Sequence, residues 1–91
     1  MITVLVPGAL RTDCGGEARL AVEPCTTLGG VLDEVDRRYP RLGRRIRDEQ
    51  GELRRYVNVY VDGEDCRRVA GLATPVPDGA EVQVLPSVAG G

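Results

Sequence analysis

Apolar and polar residues alternate along this chain in blocks of changing period. Residues 2–6 (Ile2, Thr3, Val4, Leu5, Val6) are β-branched or apolar throughout, the composition of a strand buried on both faces near the middle of a sheet. Pro7 and Gly8 end it, and a loop runs through Arg11 to Gly16. From Glu17 to Glu23 the pattern alternates, with Ala18, Leu20 and Val22 on one face; this predicts a half-buried strand in a hairpin with the first. Pro24 breaks that strand, and Thr26 or Thr27 supplies a helix N-cap. Leu28, Val31, Leu32, Val35 and Tyr39 then recur at helical spacing as one apolar stripe. Acids come early on the opposite side and bases late, as the helix dipole prefers, and Pro40 closes the helix. Gly29-Gly30 in its first turn reads as close packing against the sheet.

The second half repeats the exercise with shorter blocks. Leu42 and Ile46 anchor one or two helical turns within residues 41–49, whose four arginines, mixed with Asp48, Glu49 and Glu52, read as a solvated face rather than a binding patch. Arg55 to Val61 is the clearest strand, its three valines on one face and Tyr56, Asn58 and Tyr60 on the other. Asp62-Gly63 is a turn signal, Glu64 to Val69 reads as a short edge strand, and Gly71 to Thr74 as a loop or single helical turn. Pro77-Asp78-Gly79 is turn chemistry, and Ala80 to Leu85 makes the last strand, with Val82 and Val84 inward. A helix following a hairpin must cross the sheet to feed the later strands, which places the first strand centrally and parallel to the last. The expected architecture is α+β: a mixed sheet of about five strands grasping one main helix.

Composition narrows this picture. With 91 residues the chain makes one domain, and with three tyrosines, no Phe and no Trp its core must be aliphatic. The net charge of −2 and the mixing of signs argue against a nucleic-acid partner. All 12 cations are arginine, so no side-chain amine is offered for self-conjugation. No apolar run approaches the roughly 20 residues of a membrane span, and the start lacks a signal-peptide pattern; a cytoplasmic protein with no membrane partner, monomeric on its own, is expected. Cys14, Cys25 and Cys66 fit no zinc or redox spacing and read as reduced, mostly buried thiols. Without histidine the commonest general base and metal ligand is missing. Neither a metal site nor catalytic residues nor a bound cofactor is expected.

The chemistry points instead to the end of the chain. Pro86 closes the folded body, residues 1–86, and leaves a tail, residues 87–91: Ser87, Val88, Ala89, Gly90 and Gly91. Such a segment has nothing to bury and is expected to stay mobile. Its two glycines lack a β-carbon and suit a narrow channel. The reactive group is then the carboxylate of Gly91, a poor acyl donor until a leaving group is attached. On a body of another kind, Ala-Gly-Gly would be only a frayed end.

The body decides. The run Tyr56-Val57-Asn58-Val59-Tyr60-Val61-Asp62-Gly63-Glu64-Asp65, then Gly71-Leu72-Ala73-Thr74, Asp78-Gly79 and Val84 through Gly91 resemble the ubiquitin-like sulfur-carrier proteins of the ThiS and MoaD family, and within it the actinobacterial carriers most. Arg11 after the first strand and the helix start near Thr27-Leu28 match as well. The resemblance implies a β-grasp fold and a cycle. A ubiquitin-activator-like enzyme of the MoeB/ThiF type uses ATP to adenylate Gly91, and a sulfur donor converts the adenylate to a thiocarboxylate. A sulfur-accepting synthase then takes the sulfur, toward cysteine in the actinobacterial carriers and toward molybdopterin, thiamin or a sulfur-containing natural product in others. In the former a tail-processing metalloprotease releases the product. Gly90 and Ser87 to Ala89 would thread into partner sites, while the body supplies recognition. On this reading the chain is a protein cosubstrate, not an enzyme. Two other readings stand beside it: a ubiquitin-like modifier conjugated through Gly91, and a β-grasp binding module whose tail is incidental.

Overall fold

The computed structural model describes residues 1–86; the five tail positions proposed to carry the chemistry, Ser87 to Gly91, lie outside the described residues. Five strands form one mixed sheet: β1 (Ile2–Leu5), β2 (Arg19–Val22), β3 (Val57–Val61), β4 (Glu64–Asp65) and β5 (Glu81–Pro86), in the order β2-β1-β5-β3-β4. β1 pairs antiparallel with β2, Ile2 opposite Val22, and parallel with β5, Val4 opposite Val82. β3 runs antiparallel to β5, Val59 opposite Val84. The hairpin and the parallel first and last strands follow the expected order.

One layer of helix covers one face. In α1 (Leu28–Arg38) Leu28, Val31, Leu32 and Val35 are buried, and the Thr27 hydroxyl accepts the Gly30 N–H at 3.2 Å as the N-cap. Tyr39 ends α1 and Pro40 opens α2 (Pro40–Ile46), where its missing N–H costs nothing. Leu42 and Ile46 of α2 join the core. From the sheet come Ile2, Val4, Leu20, Val22, Val57, Val59, Val61, Val82 and Val84; the buried hydrophobic residues include no aromatic ring, as the composition required. Each such aliphatic side chain contributes about 1.5–3 kcal/mol on burial.

Several expectations are corrected. β1 is not buried on both faces: Thr3 and Leu5 are half-buried, because helices cover one side of the sheet only. The stretch read as a loop after β1 is a 3-10 turn over Gly8–Cys14, drawn inward by Leu10 and Cys14, and Ala18, placed on the buried face, is exposed. The edge strand read as Glu64 to Val69 stops at Asp65, whose carboxylate accepts the Arg67 N–H at 2.9 Å and bends the chain into a 3-10 turn that buries Cys66. Gly29 and Gly30 do pack closely, but against the Leu72 carbonyl and Cys25 rather than the sheet.

The arginines of residues 41–49 are not uniformly solvated. Arg47 is 9% exposed and its guanidinium donates to Asp33 (2.8 Å) and Asp36 (2.5 Å) of α1. Burial alone would pull its pKa down; the two aspartates outweigh that and raise it. Beside them Gly43 brings α2 against α1, so close that a Cβ there would run into the Asp36 carboxyl.

Candidate functional site

Helices on one face leave the other face of the sheet open. Alternation along each strand decides what it shows: Thr3 and Leu5 on β1, Arg19 and Ala21 on β2, Asn58 and Tyr60 on β3, and Gln83 and Leu85 on β5. Leu85, 37% exposed, and half-buried Leu5 and Tyr60 are apolar or amphipathic positions inside a polar frame.

At one end this face meets the point where the tail departs. β5 lies between β1 and β3 and finishes at Pro86, which is opposite Val57 at the start of β3. Because β1 runs parallel to β5, the same end carries the finish of β1 and the turn after it. A shallow groove of about 300 Å³ is cut there by Leu5, Pro7, Arg11, Arg19, Gln83 and Leu85. The Arg11 Nε–H donates to the Val6 carbonyl at 2.9 Å, which fixes that side chain along the groove wall. The groove pairs apolar Leu5, Pro7 and Leu85 with two arginines, and it lies next to Pro86, the last described residue.

Neighbouring contacts brace the start of β3, which lies opposite the end of β5. Arg67 donates to the carbonyls of Val57 (2.8 Å) and Arg54 (2.8 Å) and to the Asn58 side chain (3.1 Å), tying the start of β3 to the turn after β4. At the opposite end of β5 the Asp62 carboxylate accepts the Glu81 N–H at 2.9 Å.

The cysteines are placed against a role in thiolate chemistry for two of them. Cys14 and Cys66 are buried, and burial pushes both thiols up from their ordinary value, helped by Glu17 and Asp13 at the first and by Asp65 at the second. Cys25 is half-buried and donates to the Glu23 carbonyl at 3.3 Å. Among the described residues no group of three or more acidic or cysteine side chains is placed to hold a metal ion, and no helix is long and apolar enough to cross a membrane.

Sequence reasoning pointed to the tail and assigned recognition to the body without naming a surface. The open face was present in the alternation of each strand, yet Leu5, Arg19, Tyr60 and Leu85 come together only once strand order and register are known. Arg11 had been picked out by resemblance, and it stands at the exit groove.

Comparison with known proteins extends these observations over the whole chain. The model of the ThiS family matches residues 4–91. The chain is similar to the sulfur carrier protein CysO of Mycobacterium tuberculosis, 40% identical over 92 residues that span 99% of this chain and 98% of that protein. It is similar also to small archaeal modifier protein 3 of Haloferax volcanii, 39% identical over 70 residues, 77% of this chain and 75% of the relative. A chain in the crystal structure of the Amycolatopsis orientalis BexX/CysO complex matches with a TM-score of 0.90 at 38% identity, and each chain is covered in full. The β-grasp fold and the likeness to actinobacterial carriers expected from the motifs are therefore both observed.

Proposed function

The chain belongs to the ThiS family of ubiquitin-like sulfur carriers, and from that premise we propose that its sulfur rides on the Gly91 carboxylate. A partner enzyme of the MoeB/ThiF type activates that group: a carboxylate oxygen attacks the α-phosphorus of ATP, pyrophosphate leaves, and an acyl-adenylate forms. A sulfide-level donor then attacks the acyl carbon and expels AMP, leaving a thiocarboxylate. This species is nucleophilic at neutral pH and delivers sulfur to an acceptor bound by a synthase, cysteine synthesis being the destination that the likeness to actinobacterial carriers favours. In that branch a metalloprotease would trim the product from the tail.

On this reading the chain supplies no acid, base or metal. Its contribution is positional: Ser87 to Gly90 act as a tether able to pair with partner backbone, while the open face of the sheet docks the body. The observation that supports this best is the finish of β5 at Pro86 beside the groove of Leu5, Arg11 and Leu85, which couples recognition of the body to presentation of the end. Intact-protein mass spectrometry after incubation with ATP, an activating enzyme and sulfide tests it. Exchange of one carboxylate oxygen for sulfur is expected, and it should vanish when Gly91 is deleted; a competent activating enzyme that leaves the mass unchanged would remove the tail from the chemistry.

Conjugation to other proteins is a second reading, supported by the similarity to an archaeal modifier. It calls for isopeptide-linked adducts in cell extract that disappear with Gly91. If deleting Gly90 and Gly91 left the cellular function intact, the body alone would be the functional unit.

A further inference from the structure

A second hollow, of about 420 Å³, opens at the same end of the molecule on the β3 side of the exit, lined by Asp13, Arg41, Arg44, Arg45, Arg54 and Tyr56. Its position follows from the topology. Asp13 belongs to the turn that follows β1, Arg54 and Tyr56 immediately precede β3, and Val57 pairs with Pro86 where β5 ends. Four arginines face one aspartate on a chain whose net charge is −2, so the positive charge is local.

The hollow is held in shape by its own contacts. The Arg54 Nε–H donates to the Arg44 carbonyl at 2.6 Å, and the Arg54 carbonyl is in turn bound by Arg67. Arg45 pairs with Asp13 at 3.3 Å, which satisfies the one carboxylate present. Arg41 and Arg44, both exposed, have no acidic partner among the described residues. Tyr56, 54% exposed, lines the hollow beside them.

We propose that this arginine hollow docks an acidic segment of the enzyme that receives the tail, so that a partner grips the molecule on both sides of the exit. Arginine forks bind carboxylates in pairs, with geometric selectivity as well as charge. A long polyanion would meet the negative charge of the rest of the chain, and no glycine-rich backbone cradle of the kind that holds a nucleotide phosphate lines the hollow. A short carboxylate-bearing loop on a protein meets neither obstacle. This inference rests on the carrier reading for the identity of the partner, not for the chemistry of the site.

The probe is a hexaglutamate peptide titrated into ¹⁵N-labelled protein, followed by amide chemical shifts. Saturable shifts over residues 41–45 and 54–56 are expected, weakening as salt rises. Charge reversal in the double variant R41E/R44E should weaken binding at least about tenfold, while R68E, on the turn after β4, should leave it unchanged; a urea midpoint equal to that of the parent shows that the double variant is folded. Failure of the peptide to bind, shifts spread equally over Arg19 and Arg68, or saturation by inorganic phosphate or duplex DNA but not by the peptide would each overturn the proposal. With the activating enzyme, R41E/R44E should raise KM for the carrier and leave kcat alone. If that enzyme ignores the parent protein, the carrier reading fails, and the peptide titration still judges the hollow.

Discussion

Gly43 sets how closely α2 can approach α1. A Cβ there would meet the Asp36 carboxyl and stand 3.0 Å from the Asp36 Cα, and Asp36 is already committed to Arg47. Rotating one side chain cannot relieve a clash that includes backbone, so Gly43→Ala is expected to cost about 1–3 kcal/mol by overpacking, read as a lowered urea midpoint; an unchanged midpoint would mean the helices separate freely. Neither Gly43 nor Arg47 was legible in the sequence, because their roles arise where two helices cross and hydropathy periodicity reports each helix alone. The cysteines were more legible: fitting no zinc or redox spacing, they read as small buried hydrophobes, and Cys14 and Cys66 are buried. With those two thiols buried and raised in pKa, iodoacetamide near neutral pH should modify Cys25 first and reach all three only in urea, as mass spectrometry of the adducts would show. Early loss of the Cys66 thiol would contradict the packing around it.

Among the elements, the β3–β4 hairpin owes its geometry to two residues. Asp62 and Gly63 have φ of 49° and 87°, the paired positive values of the turn that matches strand twist. Gly63→Ala would force a side chain into that region at about 1–2 kcal/mol, and Asp62→Ala would also remove the acceptor for the Glu81 N–H. Thermal melts of the two variants should therefore both fall, and a neutral Gly63→Ala would rule the turn geometry out. The Asp62-Gly63 turn was plain from its residue types, and the valine alternation of β3 and β5 and the apolar stripe of α1 from periods long enough to count, whereas β4 was read too long. The 3-10 turns over Gly8–Cys14 and Cys66–Arg68 were not. They are too short to show a period, and what forms them is a buried side chain and a capping aspartate.

For the molecule as a whole, the parallel pairing of β1 with β5 was deducible from element order, whereas the open face required the register that joins four strands. Leu85→Asp places a charge on that face without touching the core; it is expected to change folding stability by no more than about 0.5 kcal/mol while weakening partner-dependent activation, and equal activation would relocate the docking surface. The chain start is pinned to the loop before β5 by the Met1 ammonium and Asp78, 2.6 Å apart. That hydrogen bond, with the nearby positive charge, holds the Asp78 carboxyl below its ordinary 3.8. Its contribution is complete above that value and is lost as pH falls through the depressed one. Asp78→Asn should thus lower the urea midpoint at about pH 6, by a margin that shrinks as pH falls below 3.8; a gap that does not shrink would mean that the pair does not titrate with folding. The central position of β5 also has a mechanical meaning. A pull on the C-terminal end runs along β5, which is laced to β1 on one side and to β3 on the other, so the force loads two ladders in shear rather than opening them bond by bond. Force applied at Pro86 must therefore break both ladders together, so pulling on this end would meet more resistance than peeling an edge strand such as β2 or β4.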